Sequence, residues 1–328
     1  MSDAPSSLSG HGGRLAAAQA RFPDAPAPWL DLSTGINPRP YPVPPQAFED
    51  WGRLPDPADL LKLEAVAAEA FGVEDPSRVV ALPGSETAIR LLPKILPRGR
   101  VSLPLPTYSS HAHAWRRVGS EVVADPAQAD VCVVVNPNNP DGRSLAPEAV
   151  LALGQRGAVV DEAFVECEPS LSVARFAGAP GHERLVVLRS FGKFYGLAGL
   201  RLGFVIARPA LARRLRDTLG EWPLSAPALA AGLAAYPDTA WADATRASLA
   251  DDAARLDALL AVAGFEVVGG TCLFRLARIA DAPARFEALA RAGILTRPFD
   301  HDASLLRFGL PGYDADWARL TAALETSR

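Results

Sequence analysis

Lys193 closes the tetrapeptide Ser190-Phe-Gly-Lys193, with Arg201 and Gly203 downstream. A lysine attacks an aldehyde only through its neutral amine, so its ordinary pKa of about 10.4 has to fall by desolvation or beside another cation. Asp161 follows the apolar run Ala158–Val160, where a buried carboxylate can keep a ring nitrogen protonated. Asn139, in Asn136-Pro-Asn-Asn-Pro-Asp-Gly142, can donate a hydrogen bond to a phenolate oxygen. The stretch Pro83-Gly84-Ser85-Glu86-Thr87 stands before a helical pattern, and free N–H groups at a helix start favour a phosphate. Ser190 and Arg201 would add a hydroxyl and a permanent cation to that anion. Tyr108, in Pro106-Thr-Tyr, offers a ring for stacking. Each residue taken singly has a plainer reading as a surface lysine, capping aspartate, turn asparagine or core tyrosine.

These residues have to be held by the elements around them. Short apolar runs occur at Arg78–Leu82, Val101–Leu103, Val131–Val135, Ala158–Val160, Leu185–Leu188 and Phe204–Ala207, with helical or turn-rich stretches between. Such runs fit strands buried on both faces, which predicts an α/β fold with a largely parallel sheet covered by helices. Open parallel sheets bind ligands beyond the carboxyl ends of their strands, where the chemical residues cluster. After Glu221 the texture becomes Ala-rich, with helices expected at Ala226–Ala235, Thr239–Ala263 and Asp314–Thr326. Strand candidates there are Phe265–Val268, Cys272–Leu276 and Leu305–Phe308. Residues 1–45 are proline-rich towards their end and read as an extended N-terminal arm. The expected division is therefore an arm (1–45), a large domain (46–221) and a smaller C-terminal α/β domain (222–328).

With 328 residues, 49% hydrophobic and 21% charged, the chain has an ordinary globular composition. No apolar run approaches the roughly 20 residues of a membrane span, and Met1–Gly13 lacks the apolar core of a secretory signal. A cytoplasmic location with no membrane partner is expected. The formal charge of −4 and the lack of a long basic run argue against a nucleic-acid partner. Cys132, Cys167 and Cys272 are odd in number and widely spaced, which predicts thiols and no metal site.

Gly-Ser-Glu-Thr, Pro-Thr-Tyr, Asn-Asn-Pro-Asp-Gly, Asp-Glu-Ala-Phe and Ser-Phe-Gly-Lys…Arg occur here in one order. That order resembles fold-type I pyridoxal-phosphate enzymes, the aspartate aminotransferase superfamily, from about Asp31 to the C-terminus. The resemblance implies pyridoxal 5'-phosphate as cofactor, carried by Lys193, with Asp161 at the ring nitrogen, Asn139 at the ring hydroxyl and Tyr108 stacked. It implies a phosphate cup of Gly84, Ser85, the Glu86 backbone, Ser190 and Arg201, and Arg307 as the grip on a substrate carboxylate. It also implies a homodimer. Two positions depart from the pattern: Phe164 stands where many relatives have Tyr, and Leu54 replaces the Tyr of Arg-Tyr-Pro-Asp.

Ser9-Gly-His11-Gly12-Gly13 and Asp31-Leu-Ser-Thr-Gly35-Ile-Asn37 resemble the start of the cobalamin-pathway threonine-phosphate decarboxylases, relatives of histidinol-phosphate aminotransferase. In that family the His-Gly-Gly segment helps to bind the substrate's phosphate. The resemblance adds His11, Gly12, Gly35, Asn37, Arg297 and Arg307 as substrate residues, without saying which arginine takes carboxylate and which phosphate. The implied reaction converts L-threonine O-3-phosphate to (R)-1-amino-2-propanol O-2-phosphate and carbon dioxide. The alternative is an aminotransferase acting on histidinol phosphate or an aromatic amino acid. A ligand sensor without activity is disfavoured, because Lys193 and Asp161 are both present.

Overall fold

The computed structural model of the chain describes residues 8, 10–45, 52–97 and 99–326. In chain order its strands are β1 (Leu30–Asp31), β2 (Val79–Leu82), β3 (Arg100–Ser102), β4 (Glu121–Val123), β5 (Val131–Val135), β6 (Ala158–Asp161) and β7 (Leu185–Ser190). They continue with β8 (Gly203–Ile206), β9 (Glu266–Thr271), β10 (Phe274–Arg278), β11 (Ile294–Leu295), β12 (Arg297–Pro298) and β13 (Leu305–Gly309).

Seven strands form one sheet in the order β2-β8-β7-β6-β5-β3-β4. All neighbours from β7 to β4 pair parallel, while β8 runs antiparallel to both β7 and β2. β2 therefore points the same way as β7, and the start of β8 lies at the edge where the other strands end. That edge collects the loops after β2, β3, β5, β6 and β7 together with the segment entering β8. Strands β2, β5, β6, β7 and β8 are buried along their whole length, as a sheet covered on both faces demands. Leu92, Trp115, Val133, Val159 and Leu215 belong to the core against this sheet.

Two compact units are present: the larger comprises Pro40–Asn139 and Arg143–Asp243, the smaller the chain through Arg39, Pro140–Gly142 and Ala244–Arg328. The helix Ala226–Ala235 falls in the larger unit, where the change of texture after Glu221 suggested the smaller one. Its packing explains why: a Cβ on Gly232 would stand 2.6 Å from Leu63 and 2.9 Å from Leu202. The smaller unit carries the antiparallel sheet β12-β13-β10-β9 and the parallel pair β1-β11. The N-terminal segment is more than an extended arm. It contains the helix Leu15–Arg21, buries Ala18, Phe22 and Leu32, and adds β1 to β11.

Cys132 is a buried thiol. No helix among the described residues is long and apolar enough to cross a membrane.

Candidate active site

A cavity at the carboxyl edge of the large sheet is lined by all nine residues expected to hold the cofactor: Gly84, Ser85, Glu86, Tyr108, Asn139, Asp161, Ser190, Lys193 and Arg201. Val135, Ala163, Phe164, Gly192, Ala198 and Leu202 complete the wall.

Lys193 sits in the single turn Phe191–Phe194 that follows β7. Both phenylalanines are buried, Phe191 stacked on Tyr195 (centroids 4.5 Å) and Phe194 edge-on to Trp241 (5.7 Å). Gly192 leaves no room for a side chain, since a Cβ would meet Ala198 Cα at 2.6 Å. The turn is thus clamped on both sides, and Lys193 Nζ lies 6.0 Å from the centre of the Phe164 ring. A ring face at that distance attracts the ammonium form only weakly.

Asp161 ends β6 and is 2% exposed. Its Oδ1 accepts the Ala163 N–H (3.1 Å), and its Oδ2 lies 2.9 Å from His111 Nε2. A carboxylate can only accept, so the proton between them belongs to His111 Nε2. His111 belongs to none of the sequence motifs. The available signal is its spacing three residues after Tyr108, which is the N-cap of the helix Ser109–Arg117 and precedes the turn that carries His111; the rings meet edge-on at 6.3 Å.

The Tyr108 and Asn139 loops are tied together by motif residues without an expected cofactor contact, Thr107 and Asn138, and by Arg143. Thr107 Oγ1 donates to Asn138 Oδ1 (2.6 Å), Asn138 Nδ2 donates to the Pro106 carbonyl (3.0 Å), and Arg143 Nη2 donates to the same carbonyl (3.0 Å). Tyr108 Oη donates to Glu86 Oε2 at 3.2 Å. Burial raises the Tyr108 phenol above its ordinary pKa, so the ring stays neutral and keeps its proton to donate.

Gly84 precedes the helix Ser85–Ile95 with φ 77° and ψ 149°, a region open essentially to glycine. A Cβ there would stand 2.6 Å from Arg201 Nη2. Arg201 itself is left-handed (φ 57°), and its Nη1 donates to the Ala198 carbonyl (2.9 Å). Gly203 lets β8 approach the helix start, because a Cβ would meet Ser85 N at 2.5 Å. Backbone N–H groups, hydroxyls and a guanidinium therefore converge where a dianion would be stabilised.

Behind Asp161 and Ser190 lies a buried ionic group. Successive strand residues face opposite ways, so Glu162 and Arg189 point away from the cavity. Arg189 pairs with Glu166 (2.7 Å) and Glu162 (3.4 Å), and lies 4.3 Å from the centre of the Phe71 ring. Burial pushes the Glu162 carboxyl up to about 7, against the pull of Arg189 and of hydrogen bonds from Ser172 and Val173. Burial also works against the charge on Arg189, but Glu166 and Glu162 more than reverse it, so the guanidinium stays ionised.

The six expected substrate residues all lie in the smaller unit. Arg297 and Arg307 are cross-strand partners on β12 and β13, both buried. Residues directly opposite share a face, where like charges repel. Burial first, then Arg297, lowers the Arg307 pKa well below its usual value, with Asp31 pulling the other way. Gly12 packs on Ser33, and Gly35 is buried. Asn37 Oδ1 accepts the Arg39 N–H (2.9 Å), which makes its side-chain oxygen a turn former.

This architecture and the lysine-bearing turn agree with sequence comparison. The chain belongs to the aminotransferase class I and II family, whose model matches residues 30–326. Within it, a threonine-phosphate decarboxylase of Pseudomonas aeruginosa is 43% identical over 96% of each chain. A second threonine-phosphate decarboxylase, from a Sinorhizobium species, is 42% identical over 96% of this chain and 97% of its own. In fold, the chain is similar to histidinol-phosphate aminotransferase of Sinorhizobium meliloti, solved with pyridoxal 5'-phosphate, with TM-score 0.82 and 20% identity over 95% and 94% of the two chains. The cavity fits such a group on chemical grounds: an amine, a buried carboxylate, an aromatic face and an anion cup too tight at Gly84 for a Cβ.

Proposed function

We propose that the protein is a pyridoxal-phosphate-dependent carboxy-lyase that converts L-threonine O-3-phosphate to (R)-1-amino-2-propanol O-2-phosphate and carbon dioxide. The observation that carries this reading is the buried cross-strand pair Arg297 and Arg307. Two guanidinium groups held opposite each other concentrate positive charge and suit a substrate with two anionic groups, each met by a bidentate fork. The 42–43% identity to threonine-phosphate decarboxylases supports the same substrate.

When bound, pyridoxal 5'-phosphate supplies an electron sink for the pair left by a bond broken at the substrate's Cα. Asp161, braced by His111, would hold the ring nitrogen and Asn139 the ring hydroxyl. Tyr108 would lie against the ring face, while Ser85, the Glu86 backbone, Ser190 and Arg201 would hold the phosphate. Lys193 would carry the cofactor between turnovers. Arg297 and Arg307 bind carboxylate and phosphate between them and so choose which Cα bond is presented for breaking. After the carboxylate leaves as carbon dioxide, Lys193 Nζ, or a water it orients, returns a proton to Cα. The amine product then keeps the phosphate ester intact. Its use as a linker in cobalamin biosynthesis, a cytoplasmic location and assembly as a homodimer belong to the same reading.

The test is incubation of the holoenzyme with L-threonine O-3-phosphate, with carbon dioxide, amine and 2-oxo acid followed together. Equimolar carbon dioxide and aminopropanol phosphate are expected. Formation of 2-oxo acid without carbon dioxide would overturn the decarboxylase reading in favour of an aminotransferase.

A further inference from the structure

Within the smaller unit the Gly10–Gly13 segment lies against Ser33, and the contacts form one connected chain. Gly13 N–H donates to Ser33 Oγ (2.8 Å). Ser33 Oγ donates in turn to Asp31 Oδ1 (2.5 Å), which also accepts the Ser33 N–H (2.9 Å). The Ser33 carbonyl accepts from Arg307 Nη2 at 2.7 Å. Three residues before Gly13, the Gly10 carbonyl accepts from Arg297 Nη2 at 3.2 Å. Gly12 seals the contact: a Cβ would stand 2.3 Å from the Ser33 oxygen and 2.8 Å from its carbonyl carbon. The φ of Gly12 lies outside the left-handed region, so close approach alone requires glycine there.

Ser33 is 2% exposed, and its amide, hydroxyl and carbonyl are all engaged. The hydroxyl gives its single proton to Asp31 and receives one from Gly13, a direction that the ionised carboxylate enforces. A guanidinium is planar, so holding one Nη fixes the plane and heading of the whole fork. Two such forks face each other across β12 and β13, and repulsion would drive them apart without fixed acceptors.

We propose that Ser33 is a positioning residue: pinned by Asp31, it joins the Gly10–Gly13 segment to Arg307 and sets the guanidinium that binds a substrate anion. The inference rests on the substrate role given to Arg307 above. It assigns the glycines of the segment a task beyond offering N–H groups to an anion. Gly12 brings the segment close enough for Ser33 to orient the arginine.

The experiment compares wild-type, Ser33→Ala and Gly12→Ala holoenzymes, with L-threonine O-3-phosphate as substrate and inorganic phosphate as competing anion. Loss of the hydroxyl in Ser33→Ala raises KM and the phosphate inhibition constant about tenfold and leaves kcat within about twofold. Gly12→Ala overpacks the contact, displaces the Ser33 carbonyl itself and raises both by about a hundredfold. A fall in kcat at unchanged KM, or no change in either constant, overturns the proposal. Visible cofactor absorbance and a cooperative melt check that each variant is folded, and if one does not fold the other decides. Should the wild type release no carbon dioxide, the decarboxylase reading fails by itself. The inference is then judged by calorimetric titration of the holoenzymes with inorganic phosphate. Weaker binding by the folded variants sustains it, and equal or undetectable binding overturns it.

Discussion

Replacing Gly84 by Ala separates two costs that the structure places at one atom. The first is backbone strain. Gly84 has φ 77° and ψ 149°, and a residue with a side chain held there loses about 1–3 kcal/mol. That cost is present with or without cofactor, so it appears as lower stability. The second is displacement: the new Cβ would lie 2.6 Å from Arg201 Nη2 and 3.1 Å from Cζ, so the guanidinium has to swing aside. Losing one charge-assisted hydrogen bond costs about 1.5–3 kcal/mol, which corresponds to about 10–150-fold in affinity. This loss appears only when a phosphate binds. The assay is a visible-absorbance titration of the apoprotein with pyridoxal 5'-phosphate, paired with a thermal melt. The expected result is a lower melting temperature in the apoprotein and a cofactor dissociation constant raised about 10–150-fold. A lower melting temperature with unchanged cofactor affinity would refute the placing of Arg201 in the phosphate cup.

Two further predictions come from residues that flank the cavity. His111→Leu leaves Asp161 Oδ2 buried without its ring donor. Turnover and cofactor affinity should both fall, by about 5–150-fold for an uncompensated loss of about 1–3 kcal/mol; unchanged kinetics would show that His111 does not brace Asp161. Glu162 gives a pH signature. Its native value of about 7 lies above that of an unfolded glutamate, so the native protein holds a proton that the unfolded chain releases. This contribution is fully present below the unfolded value of about 4.3 and is lost as pH rises through about 7. Glu162→Gln removes it, so the fall in melting temperature between about pH 5 and about pH 8 becomes shallower than in the wild type. An undiminished fall would contradict the assignment.

The large sheet was legible because strands buried on both faces leave continuous apolar runs, and β5 shows this most clearly with Val131-Cys-Val-Val-Val135. β4 left no such trace, since this edge strand is exposed at Glu121 and only half-buried at Val122 and Val123. The pairs β1–β11 and β12–β13 involve two-residue strands, too short for any alternation to declare itself. The Ala-rich stretch Ala226–Ala235 reads as a helix, but its composition carries no sign that it packs on Leu63 and Leu202.

The residues around the cavity were legible for a topological reason. A parallel sheet sends each of its loops to one edge, so a chemical residue following an apolar run reaches the site wherever it lies in the chain. Partners that act across the fold had no such signature. His111 meets Asp161 across 50 residues, Arg189 meets Glu166 across 23, and Ser33 meets Arg307 across 274. Each of these contacts depends on tertiary pairing that spacing along the chain does not encode.

Lys193, clamped in its turn after β7 and lining the cavity, is the residue proposed to carry the cofactor. Borohydride reduction of the holoenzyme followed by peptide mapping tests it directly. A single phosphopyridoxyl group on Lys193 is the predicted result. A label on Lys62 or Lys94, with Lys193 unmodified, would rule out that assignment.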